Sequence, residues 1–99
     1  MNIKKLNKIE KNLNMSITAI IEFRDSLDKY KKIQSNVNEV SHYYGSKEWY
    51  AALDEYEKGK LKGIKVGILS EDSAYNMLND NKELAIEMIE IALKILKEN

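Results

Sequence analysis

Ninety-nine residues suffice for one small domain, and a chain of this size buries only about 60–65% of the surface its unfolded form exposes. Sixteen basic side chains, all lysine except Arg24, balance sixteen acidic ones, which argues against a chain-wide attraction to nucleic acid or to an anionic membrane. Cysteine is absent, so disulfide frameworks and thiolate zinc sites are excluded and a cytoplasmic setting fits.

The opening, "MNIKKLNKIEKNLN", is basic but has no apolar core and no small-residue cleavage site, so no signal peptide is expected. No window approaches the ~18 apolar residues of a membrane span. From residue 6 the sequence steps by alternating threes and fours through Leu6, Ile9, Leu13, Ser16, Ile20, Phe23, Leu27, Tyr30, Gln34, Val37, Ser41 and Tyr44. Nine of these twelve are apolar or aromatic, the seam of a long, coiled-coil-like helix predicted over residues 2–43. At 1.5 Å per residue such a helix is about 60 Å long, more than a chain this small can cover by itself.

Proline is absent, and all four glycines lie between residues 45 and 67, so the natural breaks fall in the middle third. Gly45 stops the first helix because glycine adopts the left-handed conformation at little cost. Ser46 is placed to cap a short second helix over 47–58, with Glu48 in its first turn and Trp49, Leu53 and Tyr56 on its apolar face. "KGKLKGIKVG" then reads as a loop ended by Ser70, the cap of a third helix over 71–79. Asp80, three residues before Glu83, predicts a capping box opening a last helix over 81–97.

In that last helix Glu83, Glu87, Glu90, Lys94 and Lys97 form one polar stripe, and the residues between them are almost entirely apolar. Such a helix demands cover on most of its circumference. The expected fold is therefore all-α, one domain over 1–99: a long N-terminal helix, two short helices and an apolar C-terminal helix, a bundle completed by oligomerisation. A dimer through the first and last helices is the simplest form.

Chemistry-bearing patterns are sparse. Glu39 and the lone His42 have the spacing of half a carboxylate-bridged metal site, but the chain has no second histidine, so no metal is expected. No serine sits in a glycine-framed nucleophile elbow, and Ser46 and Ser70 have capping roles. Neither catalytic residues nor cofactors are predicted. The glycine-lysine loop lacks the P-loop pattern, and Glu71 and Asp72 occupy the positive end of the helix that follows.

The aromatic cluster is the best candidate for function. Tyr43, Tyr44, Trp49, Tyr50 and Tyr56 fall within fourteen residues, with His42 beside them. Tyr44 and Trp49 occupy apolar helix positions and are expected in the core, whereas Tyr43 and Tyr50 lie off those positions and are expected at the surface. Tyrosine suits places where one end of a side chain is dry and the other wet, such as interfaces and ligand pockets. Tyr43, Tyr44, Trp49 and Tyr50, with Lys60, Lys62 and Lys65 of the loop, make up the candidate binding set for a small anionic, nucleotide-like ligand or a protein partner.

"YYGSKEWYAALDEYEKGKL" and "GILSEDSAYNMLNDNKELAIEMIEIALKIL" resemble domain of unknown function family 4298, small helical proteins of bacteria and phages, over residues 5–97. The distinctive parts are Tyr44-Gly45-Ser46 with Trp49, and Leu69-Ser70-Glu71-Asp72 with Tyr75. The resemblance implies an all-helical domain without an assigned activity. It also implies a proline after Leu61 and a basic residue before Gly67, where this chain has Lys62 and Val66. An anion contact made by that basic residue would be missing here.

The leading expectation is a non-catalytic, homo-oligomeric binding protein. Its sharper form is a phage-type anti-defence protein that sequesters a nucleotide-like signal. The alternatives are an adaptor or inhibitor docking on a host protein through its long helix, and an enzyme whose site forms only across an oligomer interface.

Overall fold

The computed structural model describes residues 1–98, and every regular element among them is helical. Helix α1 spans Ile3–Tyr43, α2 spans Lys47–Glu57, a 3₁₀ turn spans Gly67–Leu69, and α3 spans Ser73–Glu98. No helix is long and apolar enough to cross a membrane among the described residues. The chain falls into two compact units, Met1–Ser35 and a second that begins at Asn36.

The first unit consists of the N-terminal part of α1. Asn2 opens the helix, its side-chain oxygen accepting the Lys5 N–H at 2.9 Å. The ion pairs Asp25–Lys29 and Asp28–Lys32 run along its surface at 3.1 and 3.0 Å. Acid four residues ahead of base is the favourable order, contributing about 0.3–0.5 kcal/mol per pair. The apolar seam is unburied: Leu6, Ile9, Leu13, Ile20, Phe23 and Leu27 are all exposed.

The second unit holds the core, and that core is small. Trp49, Leu69 and Ala74 are the only buried apolar residues among those described. The 3₁₀ turn packs against both α2 and α3, so Leu69 sits between the two helices that contribute Trp49 and Ala74. Gly45 has φ +79°, the left-handed conformation expected of it, and Ser46 restarts the chain by accepting the Trp49 N–H at 3.2 Å. At the far end of α2, Gly59 (φ +76°) lets the Gly59 N–H reach Tyr56 and the Lys60 N–H reach Glu55, a Schellman close.

The expected third and fourth helices are one. α3 runs unbroken through Asp80, which is exposed inside it and opens nothing. A break there would leave several backbone donors and acceptors orphaned, whereas aspartate inside a helix costs only about 0.5–0.7 kcal/mol relative to alanine. The start is also later than 71. Ser70 does act as a local cap, its Oγ accepting the Ser73 N–H at 3.2 Å and donating to Ser73 Oγ at 2.7 Å. The residues just before it close into the 3₁₀ turn, which the glycines at 63 and 67 concealed.

Candidate functional site

Gly45 and Ser46 turn the chain between α1 and α2, and this turn gathers the aromatic residues. Tyr44 and Trp49 meet edge to face with ring centroids 5.2 Å apart, and Trp49 and Tyr50 do the same at 4.9 Å. Such pairs contribute about 0.5–1.5 kcal/mol beyond the area they bury. The Trp49 indole N–H donates to the Ile68 carbonyl at 2.8 Å, and the Tyr44 hydroxyl donates to the Glu71 carbonyl at 3.3 Å. Two rings beside the helical bend thereby hold the middle of the 3₁₀ turn and the chain two residues beyond it.

Tyr44 was expected in the core but is half-buried, because its hydroxyl must reach the exposed backbone at Glu71. Tyr43 was expected at the surface and is half-buried as well. Its ring lines an open hollow of about 690 Å³ together with Glu39, Val40, His42, Ser46, Lys47, Glu48 and Ile68. Tyr50 is 61% exposed, as expected, yet its ring edge is committed to Trp49.

His42 Nδ1 lies 2.8 Å from the Asn38 carbonyl oxygen, which only accepts, so Nδ1 carries the proton. Among the described residues, no three His, Asp or Glu side chains gather as a metal ion would require. The charges of the hollow are Glu39 and Glu48 against Lys47.

The loop lysines stand apart from this lining. Lys60 pairs with Glu55 at 3.4 Å, and Lys58 with Asp54 at 2.8 Å. The hydrogen bond to Asp54, then its charge, raises the Lys58 pKa above the ordinary lysine value. Lys62 and Lys65 are exposed. Of the candidate binding set, the structure thus brings Tyr44, Trp49 and Tyr50 into one ring cluster and puts Tyr43 in the adjoining hollow.

Sequence reasoning passed over Ile68, Lys47 and Glu48 as lining residues. Glu48 was legible only as a first-turn charge, and Ile68 lay in a stretch read as loop. The one available signal was the spacing of Glu39 and His42, which puts both on the face that carries the hollow.

The turn Tyr44-Gly45-Ser46, the buried Trp49 and the Ser70 cap are the structural counterparts of the segments that carry the family resemblance. The family described as Domain of unknown function (DUF4298) matches the chain over residues 6–91. The chain belongs to this family. No curated protein and no solved structure matches it. The DUF4298 match takes in nearly all of α1, both turns and most of α3, so the ring cluster and the hollow lie within the family domain.

Proposed function

We propose that this DUF4298 protein is a non-catalytic binding protein that works as a homo-oligomer and engages its ligand or partner beside the α1–α2 turn. One observation carries the reading: among the described residues three apolar ones are buried, while Ile, Leu, Met and Phe side chains along α1 and α3 stand exposed. α1 buries none of its residues and α3 buries only Ala74. Apolar side chains gain about 25 cal/mol for each Å² removed from water, so two such stripes favour association strongly. The lack of cysteine and of a glycine-framed nucleophile elbow in the sequence supports a non-catalytic role.

In its sharper form the ligand is a nucleotide-like signal that a phage protein withdraws from host defence. The half-buried Tyr43 ring in an open hollow supports an aromatic ligand. Glu39 and Glu48 in the same lining favour cationic groups over phosphate, so the support goes to the assembly half of this reading. The exposed α1 seam also favours a second reading, an adaptor that docks on a different protein.

Native mass spectrometry of protein recovered from its host tests both. A dimer or higher oligomer is expected, with any retained small molecule seen as added mass. A monomer at micromolar concentration overturns the homo-oligomer, and a monomer bound to a host protein establishes the adaptor. Thermal shift with a nucleotide panel checks the sharper form, since a ligand at 100 times its Kd stabilises by about 2.7 kcal/mol.

A further inference from the structure

The charges at the start of α1 oppose its own dipole. Its first turn carries Lys4 and Lys5 and no acid, and Lys8 and Lys11 follow within the next two turns. These sit at the end where unpaired N–H groups already concentrate positive charge. Near the other end Glu39 stands just before the last turn, which carries His42, in a hollow whose charges are Glu39 and Glu48 against Lys47. A helix arranged in this way is offset by a second helix running the opposite way.

We infer that α1 pairs antiparallel with α1 of a second copy, and that the partner's lysine-rich first turns complete the hollow beside Tyr43. This rests on the homo-oligomer proposed above and specifies its geometry. The seam supplies an independent indication. Turned end over end from Leu6 to Tyr44, it sets Phe23 against Leu27, Ile20 against Tyr30, Leu13 against Val37 and Leu6 against Tyr44. The same register sets Ser16 against Gln34, so two of the three polar interruptions of the seam share a layer, while the third, Ser41, falls opposite Ile9. It also brings Lys8 and Lys11 to the level of His42 and Glu39 in the other copy. A parallel pair would crowd Lys4, Lys5, Lys8 and Lys11 of both copies, eight lysines, at one end beside two positive helix ends.

The absence of cysteine makes the test direct. Ser16→Cys and Gln34→Cys variants of the full chain are prepared, mixed and treated with a short bifunctional thiol crosslinker. The expected product is a Ser16→Cys chain joined to a Gln34→Cys chain, with no product from Ser16→Cys alone. In the antiparallel pair the two copies of residue 16 lie 18 residues apart along the axis, about 27 Å. Self-crosslinking of Ser16→Cys would mean a parallel pair and overturn the inference, as would a dimer that gives no mixed product.

Glu39→Lys with Glu48→Lys should weaken the dimer about tenfold at low salt, and adding Lys8→Glu with Lys11→Glu should restore it. Failure of that rescue also counts against the pairing. Sedimentation velocity of the unaltered protein separates the two levels: a monomer overturns the oligomer itself, whereas a dimer with the wrong crosslinks overturns only the orientation.

Discussion

The Trp49 indole N–H and the Ile68 carbonyl, nineteen residues apart, meet at 2.8 Å and tie α2 to the 3₁₀ turn. Trp49 is also one of the three buried apolar residues and the middle ring of the aromatic cluster. Trp49→Ala should destabilise the fold by about 3–5 kcal/mol through the emptied core. Trp49→Phe keeps a ring but leaves the carbonyl without its donor, and should cost about 1–3 kcal/mol. Urea denaturation at fixed protein concentration checks both, and a Trp49→Phe variant as stable as the parent would mean the hydrogen bond contributes nothing.

Tyr50 and Tyr43 divide differently from a simple surface pair. Tyr50→Ala removes the edge contact with Trp49 and should cost about 0.5–1.5 kcal/mol despite the exposure of the side chain. Tyr43→Ala removes a wall of the hollow and should chiefly reduce ligand or partner binding. Melting temperature and binding measured on the same two variants separate these effects. A Tyr43→Ala variant with full activity would place the functional surface elsewhere.

The turn between α1 and α2 depends on two adjacent residues. Gly45→Ala forces a side chain into the left-handed region at φ +79°, although the space beside it is open. The expected cost is about 1–2 kcal/mol of backbone strain. Ser46→Ala removes the cap on the Trp49 N–H and should cost about 1 kcal/mol. A Gly45→Ala variant as stable as the parent in urea would contradict the conformational origin of the bend.

Ile89 and Leu93 are exposed at 61% and 52%, on a helix that buries only Ala74. In an isolated chain an aspartate at either position is solvated and the helix survives. In an oligomer that buries them, Ile89→Asp or Leu93→Asp leaves an unpaired buried charge that costs several kcal/mol. The expected result is dissociation to a chain that keeps its helical circular dichroism. Unchanged sedimentation would remove α3 from the interface.

Asp80→Ala should stabilise the protein by about 0.5–0.7 kcal/mol, because alanine is the better helix former. Had Asp80 capped a separate helix, the same change would cost about 1 kcal/mol. Thermal melts of the two proteins are enough to distinguish these.

What the sequence determined by itself was local in its physics. The three-four stepping of Leu6 to Tyr44 specifies a helix because it repeats the helical turn, and Gly45-Ser46 breaks it because both residues act within their own turn. The aromatic density around that break was equally plain. Other features depended on residues distant in the chain. Asp80 has capping chemistry, but a cap forms only where the backbone opens, and α3 keeps its ladder there. Ile68 entered the hollow, and Tyr44 stayed half-buried, because the Trp49 and Tyr44 hydrogen bonds to residues 68 and 71 fold the glycine-lysine segment back beneath the bend. Those partners lie 19 and 27 residues away, far beyond the reach of helical periodicity, so only tertiary packing could select them.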